Sequence, residues 1–439
     1  MINNLFDEID RNLIADSANS DLESNLKVFC NEIGTRFPGT DGYKKAAEFG
    51  LERLKSYGFE NAHLEPFEFL AWRRGKSAEF RLVSPVKESF ECFELPYGSA
   101  TGPDGIEAGI VDIEAGSDEQ IDAQSEAMKG KFVLTTSTAQ HRTVIYDRCI
   151  ELGAVGFVFH NTIEDNIITT GTVANEEEGK IPAIGITLES AEKIKELIKD
   201  TKAPVFRIFT DGTCESDTSW NVVAELPGSD IEDVRDELVI MGGHLDSHDI
   251  GPGAYDNCSG SVLVLETARL LAAQKEHLKR PIRFILFGAE EIGLLGSHYH
   301  AKAHAGELTN ARFMLNCDMP SPVGPHGLGF HECPKGKAYL EKLSEQIGEE
   351  ILCQNRAHCH SDHYPFILQG VPTAGVAGKH PENGPKIYIH SANDTAEKIS
   401  IPDMNECAAF MARMMLRACN DEEWPDMRRT PEDIENFGK

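Results

Sequence analysis

The sequence has no run of apolar residues that could cross a membrane. A membrane helix needs about 20 consecutive apolar residues, and no stretch of the 439 residues approaches that length. The first residues, MINNLFDEIDRNLIADSANS, also lack the basic region and following apolar run of a secretory signal peptide. We therefore expect a cytoplasmic protein that has no membrane partner.

Positive charge is scarce in this chain. There are 42 Lys and Arg residues against 72 Asp and Glu residues, for a formal net charge of -30. An excess of this sign repels polyanions, which argues against nucleic acids and anionic membranes as partners. Its attraction for a cationic substrate is screened beyond roughly 8 to 10 Å at ordinary salt, so specificity must come from local residues.

Paired cysteine motifs are absent too. The eleven cysteines are scattered without CxxC spacing, which favours a reduced intracellular protein over a disulfide framework. Cys353 and Cys359 are close enough in the chain to pair across a loop, but we expect free thiols. Cys258 and Cys317 are interpreted as small core residues, because thiolate zinc sites normally use clustered cysteines.

What the sequence does contain, after Asn221, is an alternation of predicted strands and helices. ELVIMGG, PIRFILFGAE and ARFMLNCDM have the apolar composition of buried strands, whereas SGSVLVLETARLLAAQ and CAAFMARMMLRAC have helical length. Such alternation predicts an α/β fold with a mostly parallel mixed sheet sandwiched by helices. Ligands of these sheets bind beyond the carboxyl ends of the strands.

A segment with a different sequence pattern separates two parts of the predicted α/β domain. Residues 81–205 contain the short β-type runs AGIVDIE, KGKFVLTTS, AVGFVFHN and IPAIGIT and end in a predicted helix from about Leu188 to Asp200. The segment has the length of a small domain. We therefore predict a catalytic domain formed by residues 1–80 and 206–439, with a β-rich α/β domain at 81–205 inserted into it.

Carboxylate and imidazole side chains follow the predicted strands of the catalytic part. Asp256 lies between the first of these strands and the next helix, and His390, in KIYIHSANDT, follows a fourth predicted strand. Because the carboxyl ends of parallel strands meet at one edge of a sheet, these side chains are expected to converge. The full set, in chain order, is His244, Asp246, Asp256, Glu290, Glu291, Asp318 and His390.

Nitrogen and oxygen ligands without thiolate suit a hydrolytic zinc site, or cobalt or manganese in its place. Asp256, Glu291 and Asp318 supply three negative charges, so two divalent cations leave one positive charge, which a bridging hydroxide would neutralise. This sum favours two metal ions over one. Glu290 could then transfer the proton as general base, and Asp246 could hold the His244 imidazole in one tautomer.

The ordered motifs GGHLDS, GAYDNCSG, FGAEEIGLLGS, NCDM, SDHYPF and IHSANDT resemble the zinc-dependent exopeptidases of the bacterial leucyl aminopeptidase and glutamate carboxypeptidase type. The resemblance spans residues 1 to about 75 and 206–439, and the segment before the core resembles an inserted protease-associated domain. It implies His244 and Asp318 on one zinc, Glu291 and His390 on the other, Asp256 as the bridge and Glu290 as general base. It also implies a cis peptide bond between Asp256 and Asn257.

The predicted function is that of an aminopeptidase that removes N-terminal residues from peptides. A carboxypeptidase or dipeptidase on the same scaffold is the alternative; basic residues near the pocket would favour carboxylate recognition, and acidic residues would favour an amine. A binding protein that inherited the fold would be expected to lose ligands, and none is missing. The oligomeric state is open, and a homodimer is compatible with the sequence.

Five other histidines leave alternatives. His300 and His304, in HAKAH, lack the glutamate of HExxH and are interpreted as part of a solvated helix face. The segment HCHSDHYPF either lines the substrate pocket or is an ordinary loop. Its histidines are His358, His360 and His363.

Overall fold

The computed structural model describes residues 4–200, 203–229, 236–379 and 384–438. The strands are β1 (His63–Arg73), β2 (Glu79–Ser84), β3 (Glu88–Phe90), β4 (Cys92–Glu94), β5 (Ile106–Ala108), β6 (Ile110–Asp112), β7 (Phe132–Thr135), β8 (Gly156–His160), β9 (Ala183–Ile186), β10 (Val205–Phe209), β11 (Thr213–Leu226), β12 (Val239–His244), β13 (Ile282–Phe287), β14 (Phe313–Asn316), β15 (Val323–Phe330), β16 (Leu352–Asn355) and β17 (Thr373–Lys379).

The helices of the same residues are α1 (Asn4–Asp16), α2 (Leu22–Lys27), α3 (Asp41–Ser56), α4 (Asp118–Met128), α5 (Arg142–Glu151), α6 (Leu188–Asp200), α7 (Ser259–Ala272), α8 (Leu295–Ala303), α9 (Ala305–Leu308), α10 (Pro334–Ile347), α11 (His363–Leu368), α12 (Ile401–Asn420) and α13 (Pro431–Glu435). Short 3₁₀ or π turns are Ser17–Asn19, Val28–Ile33, Ala254–Cys258, Lys275–His277, Pro385–Tyr388 and Ala396–Lys398. None of the described helices is long and apolar enough to span a membrane.

An eight-stranded sheet forms the centre of the molecule, in the order β1-β11-β13-β12-β14-β17-β15-β16. The central strands β13, β12, β14 and β17 run parallel to one another. On one side, β11 pairs antiparallel with both β13 and the outer strand β1; on the other, β15 pairs antiparallel with β17 and parallel with the outer strand β16. Every residue of β12, β13 and β14 is buried, as expected for strands that are covered on both faces. The predicted α/β class with a mostly parallel mixed sheet is therefore confirmed.

Helices cover both faces of this sheet. The larger core contains buried residues from α1, α2, α3, α7, α10 and α12, and the core of the opposite face contains residues from α8, α9 and α11. Representatives of the first are Leu13, Leu26, Leu54, Leu265, Leu340 and Met411, and those of the second are Ala301, Leu308 and Phe366.

The strand predicted before His390 is wrong. Residues Pro385–Tyr388 form a 3₁₀ turn, and Pro385 at its start suits the first turn of a helical segment. The neighbouring strand β17 is already paired with β14 on one side and β15 on the other, so the sheet offers no free edge there. His390 therefore reaches the strand ends from a loop.

The segment between the two parts of the catalytic domain contains two further sheets, β3-β2-β10-β5 and β4-β9-β8-β7-β6. Strands β6, β7, β8 and β9 are parallel, and α6 begins and ends where the sequence predicted a helix. Phe157, on β8, is buried in one core of the segment and Val158 in the other. The domain boundaries stay predictions.

The inserted segment contacts two loops at the carboxyl edge of the central sheet. The backbone amide of Thr170 donates to the carbonyl of His390 at 2.8 Å, and the hydroxyl of Thr172 donates to the carbonyl of Glu291 at 2.6 Å. Tyr97, buried beside Trp72, donates from its hydroxyl to the carbonyl of Leu70 at 2.6 Å. The insert thus holds the backbone of two predicted metal ligands.

A buried ion pair fastens α1 to α12, and its removal should destabilise the protein. Both carboxylate oxygens of Asp10 accept hydrogen bonds from Arg417, at 3.0 and 2.7 Å. Asp10→Ala leaves a buried guanidinium without its counter-charge, so we expect a loss of about 3 kcal/mol in unfolding free energy, measured by urea denaturation. The control Glu23→Ala breaks an exposed pair with Lys27 and should cost less than about 1 kcal/mol. Equal urea midpoints for the two variants would contradict the prediction.

Candidate metal centre

The predicted site residues lie at the carboxyl edge of the parallel strands. His244 is the last residue of β12, Asp318 follows β14 by two residues, and Glu290 and Glu291 follow β13. Asp256 lies in the turn Ala254–Cys258, directly before α7. The local pattern of strand, polar turn and helix therefore delivers these side chains to one edge.

Asp256 lies between two groups of ligand atoms. Its Oδ1 is 3.1 Å from Nε2 of His244, and its Oδ2 is 3.1 Å from Nε2 of His390. Nε2 of His244 is also 3.5 Å from Oδ1 of Asp318, and Nε2 of His390 is 3.4 Å from Oε2 of Glu291. Each oxygen of Asp256 thus faces a different imidazole, an arrangement that a bridging carboxylate requires.

Buried oxygen atoms without partners show that these residues fit cations. Oε1 of Glu291 and Oδ1 of Asp318 are buried, and neither has a hydrogen-bond partner within the described residues. A buried acceptor without a partner costs about 1 to 3 kcal/mol, and more when it is charged. A divalent ion satisfies such oxygens, and imidazole nitrogen with carboxylate oxygen is a donor set that zinc takes in hydrolytic sites.

The raised pKa values of Glu290 and Glu291 also indicate that this site fits cations. Burial raises the pKa of Glu291 to about 8, and the charge of Asp256 adds to the shift. Burial also raises the pKa of Glu290 well above its usual range, with further increases from Asp318 and Glu291. Carboxylates this close together resist simultaneous ionisation unless positive charge is added. Metal cations would supply that charge.

Asp246 holds the backbone of the two glutamates. Its carboxylate accepts the amides of Glu290 and Glu291 at 3.2 and 3.1 Å. Nδ1 of His244 is 3.2 Å from the backbone oxygen of Asp246 and 3.5 Å from its carboxylate. Asp246 therefore lies beside His244, as expected from the sequence, and it also holds the backbone of both glutamates, which was not expected. Its role as a catalytic residue that fixes the His244 tautomer stays a prediction.

A second carboxylate, Asp394, holds the turn that contains Asp256. It accepts the amides of Tyr255 and Asp256 at 2.8 and 3.0 Å. The bond from Asp256 to Asn257 is cis, which confirms the expectation from the family resemblance. The amide side chain of Asn257 donates to the carbonyl of Cys317 at 2.8 Å, so the turn is tied to the end of β14.

The segment SDHYPF supports Asp318 through a residue that the sequence analysis did not single out. The hydroxyl of Ser361 donates to Oδ2 of Asp318 at 2.5 Å and accepts from Asn316 at 2.7 Å. Ser361 is almost fully buried, so this chain of hydrogen bonds holds the Asp318 carboxylate in one orientation. The only signal in the sequence was its membership of the SDHYPF motif.

The histidines of HCHSDHYPF have two different environments. His360 lines the cleft beside the candidate metal ligands, and its ring stacks on that of His141 from the insert, with centroids 5.8 Å apart. His363 is buried and stacks on His331 and His358. Of the two alternatives, pocket lining describes His360 and internal packing describes His363.

The prediction of a solvated helix face is wrong for His300, whose side chain is fully buried. Nδ1 of His300 is 2.9 Å from Oε2 of Glu65, and Nε2 of His304 is 2.7 Å from the other oxygen. His300 also contacts the rings of Phe287 and Phe366. A carboxylate on β1, distant in sequence, compensates for the burial of the polar ring.

His248 is the residue of the centre that the sequence analysis left unassigned. It is 4% exposed, and its Nε2 is 3.0 Å from Oε2 of Glu291. Burial lowers its pKa to about 4, so the imidazole is neutral near pH 7. In the sequence, only its position close to His244 could have indicated that it belongs to the site.

A cleft with a volume of about 500 Å³ opens beside these residues. Among its lining residues is Arg142, from the insert. The Nε of Arg142 donates to the carbonyl of Thr172 at 3.0 Å, the guanidinium packs on the ring of Phe159, and no ion-pair partner occurs among the described residues. Burial lowers the pKa of Arg142 to about 10, which leaves it positively charged near pH 7.

The fold and this cluster are those of a metallohydrolase of the α/β class, and comparison with known proteins shows which families the chain is similar to. A model of Peptidase family M28 matches residues 221–415, and a model of the PA domain matches residues 82–194. The chain is similar to Peptidase family M28 over its catalytic part, and these matches support a metallo-exopeptidase with an inserted PA domain.

Of two relatives, one aligns with most of this chain and the other with about half of it. Carboxypeptidase Q from Homo sapiens is 26% identical over 412 residues, which are 91% of this chain and 85% of that protein. A probable leucine aminopeptidase 2 from Aspergillus oryzae is 34% identical over 236 residues, which are 51% of this chain and 46% of that protein.

Solved structures share the whole fold. A Peptidase M28 precursor from Shewanella amazonensis has a TM-score of 0.82 at 26% identity and covers 98% of this chain and 99% of its own. A zinc aminopeptidase from Bacillus subtilis has a TM-score of 0.74 at 22% identity and covers 93% and 97%. The family resemblance expected from the motifs is therefore confirmed.

The position of Asp256 generates a prediction about metal content. Asp256→Asn should lower the occupancy of both metal positions, because each carboxylate oxygen faces a different group of ligands. The measurement is elemental analysis of metal-loaded, desalted protein. The control Asp118→Asn changes an exposed carboxylate of the insert and should keep the wild-type metal content. Full retention of one ion in Asp256→Asn would contradict the bridge.

Proposed function

We propose that this protein is an aminopeptidase that binds two zinc ions and removes N-terminal residues from peptides. The observation that supports it most directly is the contact of Asp256 with both His244 and His390, at 3.1 Å each. One shared carboxylate between two sets of ligands is suited to a pair of ions. The family supports peptide hydrolysis, and the number of ions and the N-terminal preference are proposals.

The chain's own residues have distinct tasks in this mechanism. Bound divalent ions supply an activated water and polarise the scissile carbonyl. Glu290, which lines the cleft beside Asp256 and Asp318, accepts a proton from the attacking water at its carboxylate and donates it to the departing amine. Burial and the neighbouring carboxylates raise the pKa of Glu290 above its usual range, which favours proton uptake by this side chain.

The assignment of Glu290 generates a prediction about turnover. Glu290→Gln keeps the shape of the side chain but cannot accept the proton, so kcat should fall by at least about 100-fold. Metal content should remain that of the wild type, because Glu290 is not among the proposed ligands. Steady-state kinetics and elemental analysis on the same samples measure both quantities. Turnover at the wild-type rate would show that Glu290 is not the base.

A carboxypeptidase or dipeptidase is the second candidate, and Arg142 is the observation that favours it. Its guanidinium lines the cleft with the candidate metal ligands and has no ion-pair partner within the described residues. A charged donor of this kind suits the free carboxylate of a short peptide. His141, His298 and His360 also line the cleft, whereas its acidic residues are Glu290 and proposed metal ligands.

Peptides blocked at one end distinguish these candidates. An aminopeptidase should lose activity on N-acetylated dipeptides and keep it on C-terminal amides, whereas a carboxypeptidase should show the reverse. A dipeptidase should lose both. Rapid hydrolysis of N-acetylated dipeptides would contradict the N-terminal preference proposed here.

If Arg142 binds the substrate carboxylate, Arg142→Gln should raise KM for unblocked dipeptides by roughly 10-fold or more. KM for the C-terminal amides should not change, because they have no carboxylate to bind. The matched control His298→Gln replaces another basic residue of the cleft and should leave the ratio of the two KM values unchanged. An equal change in KM for both substrates would exclude carboxylate recognition by Arg142.

A further inference from the structure

His248 has one polar contact for its imidazole ring within the described residues, and that contact is a proposed metal ligand. Nε2 of His248 is 3.0 Å from Oε2 of Glu291. Nδ1 is buried and has no partner. One nitrogen or oxygen atom from each of His248, Glu291 and His390 lies within 4.8 Å of those from the other two. These are the distances expected around a common cation.

The loop that contains His248 is held in place by buried arginine contacts. Arg36 donates from Nε to the carbonyl of Leu245 at 2.8 Å and from Nη2 to that of Gly253 at 3.2 Å, and its amide donates to the hydroxyl of Ser247 at 3.0 Å. These contacts bracket His248 on both sides. The ring is therefore directed at Glu291 before any ligand arrives, which is the preorganisation that a metal ligand needs.

A second set of contacts holds the residue that follows His248. The guanidinium of Arg74 forms a two-pronged ion pair with Asp249, the residue after His248, with Nη2 2.9 Å from Oδ1. The ring of His248 also stacks on Phe37 at a centroid distance of 6.2 Å. The side chain therefore has packing as well as backbone support.

The mutual orientation of the rings allows His248 and His390 to share an ion. Their centroids are 4.4 Å apart and their planes are inclined by 72°. An imidazole nitrogen binds a metal with the lone pair in the ring plane, so two ligating rings need planes that intersect near the ion. Inclined rings at this distance satisfy that condition.

Two closely stacked histidine pairs elsewhere among the described residues do not satisfy it. His331 and His363 stack with centroids 3.8 Å apart and planes at 16°, and His300 and His304 stack at 4.3 Å and 28°. Nearly parallel planes do not meet within a metal–nitrogen bond length of either ring. Close approach of imidazoles is therefore not sufficient for two rings to share an ion.

We propose that His248 is a metal ligand. Together with Asp256, Glu291 and His390 it would bind one ion of the pair, and this proposal rests on the two-ion function proposed above. That ion would have two imidazole nitrogens and two carboxylates from the protein. The other ion would have His244, Asp256 and Asp318. Four protein ligands complete the tetrahedral set of a tightly held zinc ion, whereas three leave an open position.

Unequal ligand sets predict stepwise metal binding. The ion held by four protein ligands should bind first and resist chelators, and the ion held by three should bind second and exchange readily. Removal of the His248 imidazole should then weaken the first step and bring the two affinities closer together. This behaviour can be measured without any peptide substrate.

The experiment is a titration of metal-free full-length protein with Zn²⁺ in the presence of a chromophoric chelator. It compares wild type with His248→Phe and His248→Gln. His248→Phe keeps a ring against Phe37 but has no ligand atom. Loss of an outer hydrogen-bond partner costs about 10- to 100-fold in metal affinity, so loss of a ligand should weaken the first step by more than about 100-fold. X-ray absorption of the zinc-loaded variant should show fewer imidazoles per zinc.

His248→Gln separates ligation from hydrogen bonding. Its side-chain amide can still donate to Glu291 but is a poor zinc ligand, so its first step should be as weak as that of His248→Phe. Recovery of wild-type affinity in His248→Gln would identify a hydrogen-bond donor and overturn the proposal. Wild-type affinity in His248→Phe would overturn it as well.

The matched control is His360→Phe, which replaces another histidine of the same cleft and should leave both binding steps unchanged. An equal weakening in His360→Phe would indicate a general disturbance of the cleft and count against ligation. A wild-type protein that binds fewer than two ions would overturn the two-ion function and His248 ligation together. If the wild type binds two ions and the His248 variants bind zinc with unchanged affinity, ligation by His248 is overturned and the two-ion function is not.

Discussion

Crowding of negative charge at the carboxyl edge of the central sheet is the constraint on which the rest of the structure depends. Burial raises the pKa of both Glu290 and Glu291, and one oxygen each of Glu291 and Asp318 has no hydrogen-bond partner within the described residues. Such a cluster is costly in a folded protein unless cations neutralise it. The surrounding hydrogen bonds therefore serve to hold carboxylates near one another in readiness for metal ions.

Backbone groups provide much of that support. Asp246 and Asp394 each accept two consecutive backbone amides, and so fix the segments of Glu290–Glu291 and Tyr255–Asp256. The insert adds hydrogen bonds to the carbonyls of His390 and Glu291. Because Glu291 and His390 belong to loops rather than strands, they need this outside support more than His244, which ends β12. The PA domain is thus a structural part of the metal centre as well as a wall of the cleft.

Sequence patterns predicted the parts of the fold that depend on local periodicity. Helix α7 and the buried strands β12, β13 and β14 lie where apolar spacing indicated them. Strand β15 was missed, because its sequence VGPHGLGF contains three glycines and a proline, which are unfavourable in strands. The error at KIYI had the opposite cause: the segment has apolar strand-like residues, but the sheet has no free edge for it to join.

The sequence by itself determined the family resemblance, the fold class and the set of ligand-type residues, since residues that follow parallel strands must converge at one edge. Only the tertiary structure decided which of these residues have neighbours from elsewhere in the chain. Arg142 reaches the cleft from the insert, Ser361 bonds to Asp318, and His248 faces Glu291 because Arg36 clamps its loop. These contacts join segments far apart in the chain, and the packing that brings them together leaves no trace in local spacing.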